Sequence, residues 1–177
     1  MPQEIERKFL IIKRTSEYAT KWLYQLYPSI TSLKINVITH GKLIRQGYMS
    51  IETGMKLARE IGIDVDFVPE EARIRDKAGE LLFTLKGPGN ISRNEIECRI
   101  SKDLHKKYWP CTKGMRIEKV RLEIPFERHI LVIDVYADRE LILAEVETST
   151  IEEAIELKPL GLEVTNDPRY KNRNLAK

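Results

Sequence analysis

Charged and apolar residues alternate along most of the chain, a pattern typical of β-strands whose two faces meet different surroundings. Clear examples are Glu4-Ile5-Glu6-Arg7-Lys8, the segment 93–99 and the segment 119–124. Short turns rich in glycine and polar residues separate these segments. The pattern predicts eight strands, at 3–12, 43–50, 72–76, 80–86, 92–100, 116–126, 130–136 and 141–148.

Helical periodicity is limited to short segments between these strands. Helices are predicted at 16–27, at 55–63, at 102–109, after a capping box formed by Thr150 and Glu153, and after Asp167-Pro168. A weaker pattern indicates an additional strand at 33–39. Gly47, inside the second predicted strand, indicates a bulge or a close approach by another group. The elements predict an α+β domain with one antiparallel sheet, closed into a barrel, and a few flanking helices.

The polar positions are charged on nearly every strand, often as pairs two residues apart. One interpretation is an ordinary solvated outer face, as in a soluble sheet with apolar residues inside. A closed sheet offers a second interpretation, with charged side chains inward and apolar side chains outward beneath helices. Such a lumen is unstable when empty, because desolvation and like-charge repulsion both oppose it. It would need ions and a polyanion.

The two kinds of charge suit two kinds of ligand. Carboxylates favour a hard divalent cation such as Mg²⁺ or Mn²⁺, and the candidates are Glu4, Glu6, Glu95, Glu97, Glu145 and Glu147. Lysines and arginines favour phosphate groups, and the candidates are Lys8, Arg73, Arg75, Lys86, Lys119 and Arg121. Metal-assisted phosphoryl transfer uses acidic residues to bind the metal and basic residues to bind the phosphates.

Composition narrows the class of protein further. The 177 residues suffice for one domain with a core, and 32% of them are charged, with a net charge of only +3. This small surplus does not favour nucleic acid as a partner. Cys98 and Cys111 lack a CxxC spacing and indicate reduced thiols. No apolar run approaches the roughly 18 residues of a membrane span, so we expect no membrane partner and a cytoplasmic location.

The ordered motifs resemble the CYTH domain of the triphosphate tunnel metalloenzyme superfamily, in its bacterial phosphatase-like subgroup. Glu4, Glu6 and Lys8 match the ExExK signature of that family. Further matching segments follow in order, at 45–48, 73–75, 84–87, 92–95, 118–121, 133–136, 144–147, 163–165 and 169–172. The resemblance covers almost the whole chain, which we interpret as one domain over 1–177. The stretches at about 31–40 and 51–71 depart from the family pattern and are interpreted as insertions.

The resemblance implies an eight-stranded antiparallel tunnel that holds a triphosphate and divalent metal ions. It implies that the glutamates named above bind metal, with the choice between Glu95 and Glu97 left open. The basic residues named above would grip phosphate oxygens, and Lys8 would also stabilise charge developing during the reaction. Arg45, Arg93 and Lys171 are further candidates for phosphate binding. Asp134 could either support a metal or hold a basic residue.

Tyr48 is the candidate general base, since neighbouring cations favour the ionised phenol. The alternatives are a packing or hydrogen-bonding tyrosine, and a metal-activated water that needs no protein base beyond a glutamate. We expect hydrolysis of a small-molecule triphosphate, with inorganic triphosphate ahead of nucleoside triphosphates because no base-recognition motif is visible.

Three other functions remain open from the sequence: class IV adenylate cyclase, thiamine triphosphatase and non-catalytic polyphosphate binding. The cyclases typically carry a His-Phe pair shortly before ExExK, whereas only Met1-Pro2-Gln3 precede Glu4 here. The oligomeric state is left open, with a homodimer as one option.

Overall fold

The computed structural model describes residues 3–12 and 41–176, and the predicted elements at 16–27 and 33–39 lie outside these ranges. The strands within them are β1 (Gln3–Ile12), β2 (Lys42–Met49), β3 (Glu71–Lys77), β4 (Glu80–Lys86), β5 (Ser92–Arg99), β6 (Arg116–Phe126), β7 (His129–Tyr136), β8 (Ile142–Glu147) and β9 (Leu162–Glu163). The helices are α1 (Ile51–Glu60), α2 (Lys102–Tyr108), α3 (Ile151–Glu156) and α4 (Asn172–Leu175), with 3₁₀ turns η1 (Trp109–Thr112) and η2 (Pro168–Tyr170).

The first eight strands form a closed antiparallel barrel, as the sequence predicts. Their order is β5-β4-β3-β2-β6-β7-β8-β1, and β1 closes the ring by pairing with β5. That closing contact is short, running from Gln3 opposite Asn94 to Ile5 opposite Ser92. The second half of β1 pairs instead with β9, where Phe9 lies opposite Glu163. In the described part of the chain, every helix is too short or too polar to cross a membrane.

The hydrophobic core lies largely outside the barrel, between the strands and the helices. One cluster packs beneath α3 and the segment that follows it, and contains Phe9, Leu122, Leu131, Ile133, Ala144, Val146, Leu157 and Leu160. A second cluster packs beneath α1 and α2, and contains Met49, Leu57, Ala58, Ala72, Ile74, Phe83, Leu85, Ile100 and Tyr108. Because side chains alternate along a strand, this arrangement turns the charged positions into the barrel.

Helix α1 begins four residues before the predicted start at Met55, which is therefore wrong. The Ser50 side chain accepts a hydrogen bond from the Thr53 backbone at 3.1 Å and caps the helix. Leu57 and Ala58 are fully buried against the barrel wall. A Cβ on Gly54 would lie 2.4 Å from the Cβ of Ala72 on β3, so the glycine allows the helix to approach closely.

The residues 162–176, here called the terminal segment, are fastened to the outer face of β1. Arg7 donates to both carboxylate oxygens of Glu163, at 3.0 and 2.6 Å, and to the carbonyls of Ala154 and Leu157. The hydroxyl of Thr165 accepts a hydrogen bond from the Lys8 backbone at 3.0 Å. Arg7 alternates with Glu6 and Lys8 and so lies on the other face of β1, where it has a structural role that fixes the terminal segment against the barrel.

Candidate active site

The barrel encloses a cavity of about 590 Å³, here called the main cavity. Seven glutamates and seven lysines or arginines line it, so its formal charges balance. The acids are Glu4, Glu6, Glu95, Glu97, Glu123, Glu145 and Glu147, and the bases are Arg73, Arg75, Lys77, Lys86, Arg93, Lys119 and Arg121. The sequence-predicted alternation thus brings most of the candidate residues together in one space.

Strand register sets which charges oppose each other. On neighbouring strands β1 and β8, Lys8 lies opposite Glu145, whereas Glu6 lies opposite Glu147. The first pair is favourable, and its charged atoms, Lys8 Nζ and Glu145 Oε1, are 2.9 Å apart. The second pair places two carboxylates directly across from each other, which is unfavourable unless a cation lies between them.

Lys86 links two acids on one side of the main cavity. Its ammonium is fully buried, 2.5 Å from Glu4 Oε2 and 2.8 Å from Glu95 Oε2. Arg93 donates to Glu4 at 2.8 Å as well. Burial would raise the pKa of the Glu4 carboxyl, but Lys86 and Arg93 outweigh it and hold that pKa far below its ordinary value.

Asp134 organises the bases on the opposite side. This carboxylate is fully buried and accepts hydrogen bonds from Lys119 at 2.5 Å and from Arg121 at 2.7 Å through each of two nitrogens. Arg121 also donates to Glu145 at 2.9 Å. Burial lowers the pKa of Lys119 to about 8, against the attraction of Asp134. Of the two roles left open by the sequence, the geometry supports holding basic residues.

Arg73 and Arg75 present unused hydrogen-bond donors. Both side chains are buried, and the Nε of each lacks a hydrogen-bond partner among the described residues. Arg75 donates through Nη2 to Glu97 at 2.7 Å, and Thr84 donates to the same carboxylate oxygen at 2.8 Å. Buried guanidinium donors without acceptors are suited to an anion that enters the cavity.

Three of the cavity glutamates have raised pKa values. Burial is the largest cause for Glu6, Glu95 and Glu147. Neighbouring carboxylates add to it: Glu145 and Glu4 for Glu6, and Glu4 and Glu95 for Glu147. By contrast, Lys8 and Arg121 hold the pKa of Glu145 well below its ordinary value despite burial. The acids of the cavity therefore divide into those whose pKa the bases hold down, such as Glu4 and Glu145, and those whose pKa burial keeps raised.

One end of the barrel is exposed to solvent, and the other is closed by apolar side chains. Glu123, Ile130 and Glu147 lie at the open end, where all three are exposed. The closed end is formed by inward residues of the barrel packed against the terminal segment, namely Tyr48, Ile117, Tyr136, Leu141, Leu143, Val164, Tyr170 and Ala176. A cavity of about 30 Å³, here called the narrow cavity, lies beside the closed end.

Lys171 reaches this closed end. It lines the narrow cavity together with Lys8, Thr165 and Asn172. Lys171, a predicted phosphate ligand, therefore lies at the narrow cavity and not in the main one.

Two further predicted site residues, Arg45 and Tyr48, are not where the sequence interpretation placed them, just as Lys8 and Lys171 line the narrow cavity and not the main one. Arg45 alternates with the inward residues Ile44 and Gln46, so its side chain lies on the outer surface and donates to Glu118 at 2.7 Å. Its assignment as a phosphate ligand is wrong. Tyr48 faces inward but lies in the apolar closed end, where Gln46 donates to its hydroxyl at 2.6 Å.

The expected ionisation of Tyr48 is also wrong. Burial raises the pKa of the phenol, and the Glu71 carboxylate raises it further, against the opposing effect of Arg73. The side chain is 2% exposed. The structure therefore supports the alternative of a packing and hydrogen-bonding tyrosine.

Seven residues that line the main cavity were not among the predicted site residues: Gln3, Gln46, Lys77, Glu123, Ile130, Val132 and Asn172. Glu123 continues the alternation of Lys119 and Arg121, so the strand pattern contained the signal for it. Asn172 comes from the terminal segment, and no strand periodicity could have placed it in the cavity.

The described residues contain no group of three or more histidine, cysteine, aspartate or glutamate side chains already arranged to hold a metal ion. The cavity carboxylates are mostly turned toward lysines and arginines. The donors themselves are the hard oxygen ligands that Mg²⁺ and Mn²⁺ prefer. The opposed pair Glu6 and Glu147 fits a divalent cation by charge.

Comparison with known proteins gives three informative relatives. The chain is 35% identical over 144 residues to an inorganic triphosphatase of Nitrosomonas europaea, which covers 77% of this chain and 85% of the relative. It is 31% identical to an inorganic triphosphatase of Acetivibrio thermocellus, over 100% of this chain and 95% of the relative. The crystal structure of the inorganic triphosphatase NE1496 superposes with a TM-score of 0.55 at 30% identity, covering 98% of this chain and 97% of that one.

A putative adenylate cyclase from Bacillus halodurans has a TM-score of 0.54 at 22% identity, over 88% of this chain and 86% of that one, and shows the fold alone. No family model matches the chain. The identity and coverage of the two bacterial triphosphatases, together with the closed charged barrel, show that this chain belongs to the CYTH family of triphosphate tunnel metalloenzymes.

Proposed function

We propose that this chain hydrolyses inorganic triphosphate in the main cavity, with Mg²⁺ or Mn²⁺ as cofactor. The observation that carries the proposal is the balanced set of seven acids and seven bases inside a barrel that is closed at one end. A polyanion that enters together with divalent cations adds little net charge to the main cavity. Its oxygens can therefore replace the glutamates as partners of the lysines and arginines. The names of the two bacterial relatives support the same substrate.

The bases of the cavity bind the phosphates. Arg73 and Arg75 donate through Nε groups that have no acceptor among the described residues, and Lys86, Lys119 and Arg121 exchange a carboxylate partner for a phosphate oxygen. Lys8, which lines the narrow cavity, would exchange Glu145 in the same way for a phosphate oxygen that reaches that side. Arg93 joins them from β5, where it now contacts Glu4. Fixed positive charges around the transferring group stabilise the transition state without reorganisation.

The acids of the cavity hold the metal. Glu4, Glu6, Glu145 and Glu147 come from the adjacent strands β1 and β8. Glu95 shares Lys86 with Glu4 and is therefore better placed than Glu97 to join them. When bound, the divalent ion supplies Lewis acidity toward phosphate oxygens and water.

A glutamate and not Tyr48 accepts the proton of the attacking water. The candidates are Glu6, Glu95 and Glu147, and one of them that does not hold the metal would take this role, whereas burial raises the pKa of Tyr48 and keeps its phenol protonated. All three line the main cavity.

Inorganic triphosphate fits the cavity better than a nucleoside triphosphate. Among the described residues that line the main cavity, none is aromatic, so a nucleobase finds no side chain on which to stack. Apolar residues and the terminal segment fill the closed end, so a nucleoside cannot extend through it.

The test is a substrate panel of triphosphate, ATP and thiamine triphosphate, with released phosphate and cyclic AMP measured at each metal. We expect phosphate release from triphosphate that requires Mg²⁺ or Mn²⁺. Arg75→Ala should raise the KM at least about tenfold, since it removes a charged hydrogen bond to phosphate. Arg45→Ala, the matched change on the outer face, should leave the KM unchanged.

Two results would contradict the proposal in different ways. Cyclic AMP formed from ATP, without phosphate release from triphosphate, would replace the hydrolase with a cyclase. Metal-dependent phosphate release that survives Glu4→Ala and Glu147→Ala together would reject the assignment of the metal ligands.

A further inference from the structure

Asn172 occupies a position that the ion pairs of the barrel do not explain. It begins α4 in the terminal segment and lines both the main cavity and the narrow cavity. It is the residue of the terminal segment that borders the main cavity, among those described. The remainder of the segment packs against the apolar closed end through Val164, Tyr170 and Ala176.

The hydrogen bonds of Asn172 fix the orientation of its amide. Its Oδ1 accepts a hydrogen bond from the hydroxyl of Tyr136 and lies 3.5 Å from Lys119 Nζ. Burial holds the pKa of Tyr136 well above its ordinary value, so the phenol keeps its proton and donates. Because a protonated phenol and an ammonium both require an acceptor, the oxygen of the amide must face them.

The other half of the amide is therefore left for a ligand. The Nδ2 of Asn172 has no acceptor among the described residues, and the side chain borders a cavity built for anions. An amide presents two donors without adding charge. In a lumen whose acids and bases already balance, such a neutral donor binds a phosphate oxygen without disturbing that balance.

The segment that carries Asn172 is held firmly. The backbone of Val164 donates to the carbonyl of Lys8 at 2.9 Å, and Asp167 caps η2 by accepting from Arg169 at 3.0 Å. Tyr170 is buried directly before Lys171 and Asn172. A donor fixed in this way loses little conformational freedom on binding.

We propose that Asn172 is a substrate-binding residue whose side-chain amide donates to a phosphate oxygen at the closed end of the tunnel. The inference rests on the proposed function, since triphosphate is the ligand. It assigns the terminal segment a direct contact with substrate in addition to its closure of the barrel. It also connects Lys119 to substrate, because Asn172 and Asp134 hold the same ammonium.

The test compares Asn172→Ala, Asn172→Asp and Asn174→Asp by steady-state hydrolysis of triphosphate and by calorimetric titration with triphosphate and metal. The alanine variant should raise the KM about tenfold, which corresponds to one hydrogen bond to a charged group. The aspartate variant keeps an acceptor for Tyr136 and Lys119 but points an anion at the phosphate. It should raise the KM further while keeping the Tm of the wild type.

Asn174→Asp is the control for adding a charge to this helix, and because it also removes the hydrogen bond to the Pro168 carbonyl, its Tm is measured alongside its KM. It adds the same charge to the same helix at an exposed position, where the side chain donates to the carbonyl of Pro168. We expect its KM to stay within about twofold of wild type, because a solvent-exposed charge outside the cavity is screened.

A merely structural role for Asn172 would lower the Tm and the amount of active enzyme in the alanine variant without changing its KM. That result, or an unchanged KM in the aspartate variant, would overturn the assignment. Failure of the proposed function would look different: the wild type would release no phosphate from triphosphate. In that case the titrations would still decide whether Asn172 contributes to triphosphate binding.

Discussion

The phenol of Tyr48 shares the inner face of β2 with Gln46, but its surroundings are apolar on most sides. Ile117, Tyr136 and Leu143 belong to the same cluster. Arg73 and Arg93 favour ionisation, but not enough to offset the loss of hydration and the nearby Glu71 carboxylate, so the pKa of the phenol rises. Proximity to a charged cavity is therefore insufficient to make a tyrosine a base.

Tyr48→Phe tests this conclusion. The substitution removes the hydroxyl that accepts from Gln46 and keeps the ring that fills the closed end. We expect kcat for triphosphate hydrolysis to fall by less than about fivefold, whereas loss of a general base costs roughly 10²- to 10⁴-fold. Steady-state kinetics with a parallel measurement of Tm separates the two. A hundredfold loss of kcat at unchanged Tm would restore the phenol as the base.

Whether a side chain points into the barrel was predictable from the sequence wherever strand alternation decides it. Glu145, Lys119 and Arg121 follow the period of two and reach the main cavity. Arg45 fails because it is out of phase with Gln46, a discrepancy visible in the sequence itself once the inner face of β2 is known. Asn172 could not be found in this way, because a tertiary contact of the terminal segment places it in the cavity.

At the scale of elements, the approach of η1 to β2 explains the glycine inside that strand. A Cβ on Gly47 would lie 2.3 Å from Oγ1 and 2.5 Å from Cβ of Thr112, which is buried. Thr112 also accepts a hydrogen bond from Arg116 at 2.9 Å, and the Arg116 guanidinium stacks 4.4 Å above the Trp109 ring. The predicted close approach at this glycine is confirmed.

Gly47→Ala should therefore destabilise the protein by about 1–3 kcal/mol through overpacking. Urea unfolding measures the free energy, and Thr112→Gly supplies the partner for a double-mutant cycle. Because the double variant removes the colliding Cβ, it should be more stable than the sum of the two single effects predicts. If the effects of the two substitutions on the free energy of unfolding were strictly additive, β2 would accommodate the added methyl group without displacing η1.

Elements were predictable wherever one local signal decided them. β1, β4 and β6 have the bounds that alternation and turns predict. Helix α1 starts earlier than predicted because Ser50 caps it, a signal that the apolar pattern from Met55 onward obscured. The pairing of β9 with β1 depends on Arg7 and Glu163, which are 156 positions apart, so no local pattern could indicate it.

At the scale of the whole molecule, the barrel reverses the usual positions of apolar and charged residues. Two of its apolar clusters lie on the outer face beneath helices, a third closes one end from within, and its charges line the rest of the interior. The charged residues of the interior therefore do not all stabilise the folded state. Glu145 is neutralised by Lys8 and Arg121, at 2.9 Å each. Glu6 lies 3.7 Å from Lys8 and 3.8 Å from Arg93, and it opposes Glu147.

The two acids should therefore affect stability with opposite signs. Burial, together with Glu145 and Glu4, raises the pKa of Glu6, so the folded state binds its proton more tightly than the unfolded state does. The contribution of Glu6 to stability is then complete below its unfolded pKa and is lost as the pH rises through its folded pKa. Despite burial, Lys8 and Arg121 lower the pKa of Glu145, so its contribution is present above the unfolded pKa and is lost as the pH falls.

This difference predicts that glutamine substitutions of the two acids have opposite effects on the stability of the metal-free protein. At pH 8, Glu6→Gln should increase the free energy of unfolding, and the gain should be smaller at pH 5. Glu145→Gln should decrease it by about 3 kcal/mol at pH 8, because it removes the carboxylate nearest to Lys8 and one of the two that neutralise Arg121. Urea unfolding with a chelator present measures both variants, and both should also lose triphosphate hydrolysis if these acids hold the metal.

Adding Mn²⁺ should stabilise the folded protein, since a ligand that binds only the folded state raises its stability. The wild type should gain Tm, while Glu6→Gln should gain less because one carboxylate of the opposed pair is gone. Equal destabilisation by both glutamine variants would mean that Lys8 and Arg93 neutralise Glu6 as fully as Glu145 is neutralised. Without metal, Glu6→Gln should be more stable than the wild type and less active. This combination would identify repulsion between Glu6 and Glu147 as the property that prepares the tunnel for a cation.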